Sequence, residues 1–181
     1  MKRKDSRASI KRLTVSAMLV AIGVIFLGIG ALIDVLDISM AVIASLSVII
    51  AIIEYGKGTP WMVYAAISVL SFLLIPNKLP SIFFALFFGF YPIIKEKLER
   101  KNPIVRWILK ELIFNVCLTA IILIYFLLFF QGLNLNVPLS LPWIIAIAVI
   151  LCEGIFILYD IALTKIITFY VIHLRKRLKL K

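Results

Sequence analysis

Six long apolar stretches, separated by short polar or charged segments, make up most of this chain. A helix that crosses the roughly 30 Å hydrocarbon layer of a membrane needs about 20 mostly apolar residues. The pattern therefore predicts six transmembrane spans, at about 13–33, 38–53, 61–75, 79–94, 108–130 and 141–169. Glycine, proline and polar residues separate these stretches and favour turns between them.

The second, third and fourth stretches are shorter than the others, at about 16 residues each. Two interpretations of these three stretches are open. They are tilted helices in a locally thinned membrane, or they are two helices and a re-entrant pair. The distribution of charge, described below, favours six full spans.

Composition places the chain among integral membrane proteins. Of its 181 residues, 64% are apolar and 16% are charged, and the mean hydropathy is +1.13. Soluble domains are about 45–50% apolar and about 25% charged, and so short a chain cannot bury this much apolar surface away from water. We therefore predict an all-α integral membrane protein, in which residues 1–181 form a single transmembrane domain built as a six-helix bundle.

Positive charge is concentrated in segments that share one side of the predicted membrane. With the amino terminus inside, all lysines and arginines except Lys78 lie in cytoplasmic segments or, for Lys165, near the same face. This bias is typical of an even number of spans with both termini cytoplasmic. The predicted basic cytoplasmic tails, 1–12 and 170–181, adjoin apolar spans. We therefore expect them to bind anionic membrane lipid and not nucleic acid. The predicted location is a cell membrane, multi-pass, of the bacterial cytoplasmic type.

The residue types that most catalytic and metal sites need are scarce. His173 is the single histidine and lies in the basic tail, so catalysis or metal binding by histidine within the membrane is not expected. Cys117 and Cys152 lie in spans, where a thiol behaves as a small apolar group. Glu153 and Asp160 lie about 10 Å apart along one helix, which is far for acid–base work on a single bond. We expect no enzyme activity, no cofactor and no metal.

Polar residues inside spans are costly in lipid and are therefore the first candidates for function. Glu153 lies near the middle of the sixth span, and Asn115 and Thr119 share one face of the fifth. The rise per residue gives the three a similar depth, which predicts a hydrogen-bonded network between the two helices. Together with Tyr64 and Lys78 they are candidate substrate-binding residues. For Glu153, Asn115 and Thr119, an equally weighted alternative is that they only hold the helices together.

The first span is rich in small residues, and Ala17 and Ala21 lie one turn apart on it, which lets another helix approach closely. The segment 11–23, KRLTVSAMLVAIG, resembles the first helix of the substrate-binding S components of energy-coupling factor transporters. The size, the six spans, the inside termini and a short second span ending at Tyr55 and Gly56 are similar too. The resemblance covers about the first 75 residues, and beyond them only the hydropathy is alike.

This resemblance implies a function and two kinds of partner. Ala17 and Ala21 would dock the chain on a transmembrane coupling subunit, and partner ATPase subunits would drive import of a vitamin or similar small molecule. We expect the ligand pocket between spans four, five and six, with the first outer loop as its lid. The alternative is a membrane scaffold or assembly protein that transports nothing. A lipid-modifying enzyme that uses Glu153 and Asp160 ranks last.

Overall fold

Every regular element in the described part of the chain is helical. The computed structural model describes residues 2–56, 58–129 and 141–174. Lys57, most of the loop predicted after the fifth span and the basic segment 175–181 lie outside the described residues. Within the described ranges, the predicted all-α class is confirmed.

The helices follow one another with short connections. In chain order they are α1 (Lys2–Leu32), α2 (Asp37–Tyr55), α3 (Thr59–Leu74), α4 (Leu79–Phe83), α5 (Tyr91–Leu98), α6 (Pro103–Phe129) and α7 (Leu141–Phe169). A 3-10 turn (Asp34–Leu36) precedes α2. Segments of π-helix occupy Phe84–Phe88, between α4 and α5, and Tyr170–Leu174, after α7.

Five helical runs within the described residues are long and apolar enough to cross a membrane. They are Ser9–Leu32, Asp37–Tyr55, Leu79–Leu98, Pro103–Ile124 and Ile147–Ile172. The remaining apolar helix, α3, has 16 residues. These runs are compatible with a multi-pass membrane protein.

The helices differ from the predicted spans mainly at their charged ends. α1 begins at Lys2, within the segment that we predicted as a tail, and α6 begins at Pro103. A proline at the first helical position needs no partner for a backbone N–H, so it suits this start. The run Leu79–Leu98 continues through Lys95 and Lys97, whose charges suit the carboxyl end of a helix. The runs Asp37–Tyr55 and Leu79–Leu98 therefore have 19 and 20 residues, and of the three spans predicted to be short only the third, α3, is shorter than 18 residues.

The chain divides into two compact units, Met1–Ile121 and Ile122–Lys181, and each is described by itself. The core of the first unit is formed by α1, α2, α3 and the π-helical segment Phe84–Phe88. Its fully buried side chains include Leu27, Ala41, Ala44, Val48, Ala51, Ile67 and Phe84. In the second unit, α7 buries one face, which carries Phe156, Tyr159, Asp160 and Leu163.

Small residues bring the helices of the first unit close together. Three of the buried core residues on α2 are alanines. A Cβ added at Gly23 of α1 would lie 2.5 Å from Cδ1 of Ile67, so α3 packs directly on the backbone of α1. In lipid, helix association depends on close packing of this kind, because apolar surface gains nothing by leaving apolar solvent.

The π-helical segment Phe84–Phe88 interrupts the run Leu79–Leu98 just before a proline. Pro92 has no N–H, and its ring crowds the carbonyl of the residue four positions earlier, which disturbs the helical hydrogen bonds there. The Gly89 N–H donates to the Phe84 carbonyl at 2.7 Å, which gives the wider turn of a π-helix. A Cβ at Gly89 would lie 2.7 Å from the ring of Phe84 and 2.8 Å from that of Tyr64. Only glycine allows these rings to pack so closely.

We expect Gly89→Ala to lower the free energy of unfolding by about 1–3 kcal/mol, because the added methyl overpacks two rings of the first unit. The matched control is Gly28→Ala, since a Cβ there meets nothing within 4 Å and alanine favours a helix by about 0.5–1 kcal/mol. Thermal unfolding in detergent should show a lower midpoint for the first variant and an equal or higher one for the second. Equal midpoints for Gly89→Ala and the wild type would contradict this account of the turn.

Candidate functional site

An open groove lies between residues 9–21 of α1 and residues 59–70 of α3, within the first unit. Its volume is about 860 Å³. Leu13, Val20, Met62 and Leu70 give it mostly apolar walls. Its polar lining residues are Ser9, Arg12, Ser16 and Thr59. We call this feature the α1–α3 groove.

One hydrogen bond ties the two helices together at the polar end of the groove. Arg12 Nε donates to Thr59 Oγ1 at 2.6 Å, although the two residues are far apart in sequence. Thr59 is buried and begins α3, so the bond fixes the start of α3 against α1. Nearby, the Oγ of Ser16 is buried and has no hydrogen-bond partner among the described residues. The groove therefore combines an apolar wall with a cationic, hydroxyl-bearing end.

Ala17 and Ala21 line this groove, and both are exposed in the first unit. Their methyl groups occupy little space, which keeps the α1 side of the groove shallow and accessible. The predicted pair thus lies on an open helix face and not inside the core. Docking of a partner there stays a prediction.

Tyr64, a predicted ligand residue, lies in an aromatic cluster of the first unit. Its ring contacts Trp61, Phe84 and Phe90 at centroid distances of 6.0, 6.2 and 6.4 Å. Its hydroxyl donates to the carbonyl of Ala85 at 2.7 Å, inside the π-helical segment. Tyr64 therefore supplies a hydrogen bond to backbone where the regular helical pattern is disturbed, as membrane interiors require.

Lys78, the predicted outer charge, folds back on the end of α3. Its Nζ donates to the carbonyls of Phe72 at 2.7 Å and Ile75 at 2.5 Å. The last carbonyls of a helix have no partner within the helix, and a cation is favourable beside them. In this structure Lys78 thus caps α3, a local role that the sequence analysis did not foresee.

The polar residues of α6 bond to their own helix. Asn115 Nδ2 donates to the Glu111 carbonyl at 3.1 Å, and Thr119 Oγ1 donates to the Asn115 carbonyl at 2.8 Å. Such bonds to the preceding turn are common for short polar side chains in helices. Glu153 is half-buried and lies on α7, in the other unit. The hydrogen-bonded network of Glu153, Asn115 and Thr119, and the ligand pocket that they are expected to line, stay predictions.

The sequence analysis missed an ionic cluster around Glu99, between α5 and α6. Glu99 Oε1 lies 2.9 Å from Lys110 Nζ, and Oε2 lies 3.0 Å from Arg106 Nη1. Lys110 is 3% exposed on its side chain, whereas Glu99 is 38% exposed. Partial burial raises the pKa of Glu99, but the hydrogen bond from Lys110 and the charges of Lys110, Arg106 and Lys95 together hold it below its usual value.

The cluster could have been suspected from Glu99 alone, since it is one of few acids in a run of cations. It lies at the same end of the first unit as Arg12, because Pro60 and Trp61 at the start of α3 share a small pocket with Lys97 and Arg100. We call this the basic end of the first unit.

Comparisons with known proteins identify no relative. No protein-family model matches the chain, and no curated protein and no solved structure matches it either. Within the described residues, no group of three or more histidines, cysteines or acids is placed to hold a metal ion. The functional assignment therefore depends on the geometry of the chain itself.

We expect Glu99→Gln to lower the free energy of unfolding at pH 7 by about 1–2 kcal/mol. The substitution removes the carboxylate that pairs with the buried ammonium group of Lys110 at 2.9 Å, which is costly, but the exposure of Glu99 to water reduces the loss. Because folding lowers the pKa of Glu99, its contribution is fully present above its unfolded pKa of about 4.3 and is lost as the pH falls through the lower folded pKa.

Thermal midpoints of the wild type and Glu99→Gln should therefore differ at pH 7 and converge as the pH falls through the lowered folded pKa of Glu99. The control is Glu96→Gln, since Glu96 pairs with Arg100 at 3.2 Å on the surface, where the arginine is 71% exposed. Surface pairs contribute about 0–1 kcal/mol. A gap that stays constant down to acid pH would show that ionised Glu99 does not stabilise the fold.

Proposed function

We propose that this chain is a six-span membrane protein whose basic end faces the cytoplasm. The five long apolar runs support the membrane location. At 16 residues, α3 is long enough for a sixth span in a thinned bilayer. Lys97, Arg100, Arg106 and Lys110 gather with Arg12 at one end of the first unit, which supports the orientation through the positive-inside rule.

Within that frame, we propose a small-molecule-binding subunit of an energy-coupling factor type importer, powered by partner ATPase subunits. The observation that carries this proposal is the open face of α1. Ala17 and Ala21 line the α1–α3 groove and are exposed, so a partner helix can approach the backbone of α1 closely. The resemblance of segment 11–23 to the first helix of S components points to the same two alanines.

The ligand site of this proposal remains the one predicted from the sequence. Glu153 on α7 is the acidic residue that we expect to bind the imported molecule, and Asn115 and Thr119 on α6 stay candidate ligand residues, as predicted from the sequence. A carboxylate within a span is costly unless it meets a partner or a ligand, which supports its role. The ligand class is a vitamin or similar micronutrient, as the resemblance implies.

The docking step is tested by enlarging the two alanines. We expect the tagged wild-type chain, purified from its native membrane, to carry a membrane coupling subunit and ATPase subunits identifiable by mass spectrometry. Ala17→Leu with Ala21→Leu should reduce both by about tenfold or more, because bulky side chains keep a partner helix from close contact.

Ala65→Leu is the matched control, because Ala65 is exposed on α3 but does not line the groove. It should leave co-purification unchanged. Partner recovery that is unaffected by the double substitution would exclude the groove as the docking face, and the absence of any ATPase from the wild-type preparation would contradict the importer proposal.

The second candidate function is a scaffold or assembly protein with no transport activity. It is favoured by one observation: Asn115 and Thr119, like Thr164 and Thr168 of α7, donate to backbone carbonyls of their own helices. Polar groups satisfied in this way stabilise helices without a ligand.

Replacing Glu153 by glutamine distinguishes the two functions. For an importer subunit, we expect Glu153→Gln to abolish ligand retention and uptake while the thermal midpoint changes little, since glutamine preserves the shape of the side chain. For a scaffold, the midpoint should change and no ligand should be found in the wild type. Mass spectrometry of small molecules retained through purification provides the readout, with Glu96→Gln as the control.

A further inference from the structure

The α1–α3 groove has a length and a polarity that match one leaflet of a membrane. On α1 it extends from Ser9 to Ala21, which corresponds to about 18 Å along the helix axis. On α3 it extends from Thr59 to Leu70, about 16 Å. Half of a hydrocarbon layer measures about 15 Å. An extended acyl chain of one leaflet therefore fits the groove lengthwise.

The polar lining residues of this groove lie toward one end. They are Ser9, Arg12 and Ser16 on α1, with Ile10 and Leu13 between them, and Thr59 at the start of α3. Arg12 and Thr59 lie at the basic end. Further along, the lining is formed by Val20, Ala21, Ala66 and Leu70. A molecule with a polar head and one long apolar chain matches this gradient, whereas a purely apolar helix leaves the polar end without a partner.

Charge at the polar end selects an anionic head group. Arg12 carries five N–H donors, and its Nε is engaged by Thr59 at 2.6 Å, which holds the guanidinium at the mouth of the groove. Ser16, with a buried and unpartnered Oγ, adds a hydroxyl beside it. The lining residues of the groove, all within the described part of the chain, include this arginine and no carboxylate. Arginine binds phosphate strongly because its donors match phosphate oxygens.

We infer that the α1–α3 groove binds an anionic phospholipid, with one acyl chain along the apolar wall and the phosphate at Arg12. The volume of about 860 Å³ lies within the range of sites that enclose small organic ligands. The inference rests on the proposed placement of the first unit across the membrane and does not depend on the importer proposal. A partner helix that docks on Ala17 and Ala21 has to displace the lipid from the same groove.

The site is tested by lipid retention. The full chain is reconstituted in nanodiscs that contain equal amounts of phosphatidylglycerol and phosphatidylcholine, released in mild detergent and examined by native mass spectrometry. We expect the wild type to retain one phosphatidylglycerol in preference to phosphatidylcholine. Arg12→Gln should reduce that retention by about tenfold, the effect expected for the loss of charge-assisted hydrogen bonds.

Four companion variants make the test specific. Lys11→Gln removes a neighbouring cation that does not line the groove, and it should retain the lipid like the wild type. Thr59→Val removes the hydrogen bond to Arg12 but keeps the charge, and it should retain most of the phosphatidylglycerol. Ala66→Phe fills the apolar part of the groove and should abolish retention, whereas Ala65→Phe, outside the groove, should not.

A phospholipid with a photoreactive group at mid-chain provides a measurement that needs no variant. Irradiation should label peptides of α1 and α3 around Val20 and Leu70. Labelling confined to other helices would overturn the inference, as would equal losses in Arg12→Gln and Lys11→Gln. If Arg12→Gln loses phosphatidylglycerol but Ala66→Phe retains it, the lipid contacts the protein only through its phosphate at the surface. That result would also overturn the inference. Failure of the co-purification described under the proposed function leaves these readouts unaffected.

Discussion

Backbone N–H and C=O groups have no water to bind inside a hydrocarbon layer, so each of them needs a partner within the protein. This requirement accounts for the helical character of the described residues, and it is most visible where regular helix fails. At the π-helical segment before Pro92, the hydroxyl of Tyr64 donates to the Ala85 carbonyl. At the end of α3, the ammonium group of Lys78 binds two carbonyls. Tyr64 and Lys78, which the sequence indicated as ligand-binding residues, thus form hydrogen bonds to backbone carbonyls.

Close packing of small residues gives the first unit its shape. Gly23 lets Ile67 press against α1, Gly89 lets two aromatic rings meet, and alanines line the buried face of α2. Ala17 and Ala21 are exposed and line the open groove between α1 and α3. Small residues therefore contribute both to the core of the unit and to the groove beside it.

Hydropathy predicts the helices of this chain well because the length of an apolar run is a direct physical requirement of the bilayer. It misplaces their ends, since α1 and the run containing α5 continue as helix through charged residues. The small-residue pair on α1 is visible in the sequence, but its exposure depends on which helices pack nearby. The cluster of Glu99 with Arg106 and Lys110 crosses a turn between two helices, so no helical spacing predicts it. The cap formed by Lys78 likewise depends on the path of a short loop.

Arg12 combines two tasks that depend on the same side chain. It anchors the first turn of α3 through Thr59, and its charge dominates the polar end of the groove. A change at position 12 alters the anchoring of α3 and the charge of the groove together, whereas a change at position 59 alters the anchoring and leaves the charge in place. Positions 12 and 59 are therefore expected to covary among homologous chains: a basic residue at one should accompany a hydroxyl at the other, and the loss of one should relax selection on its companion.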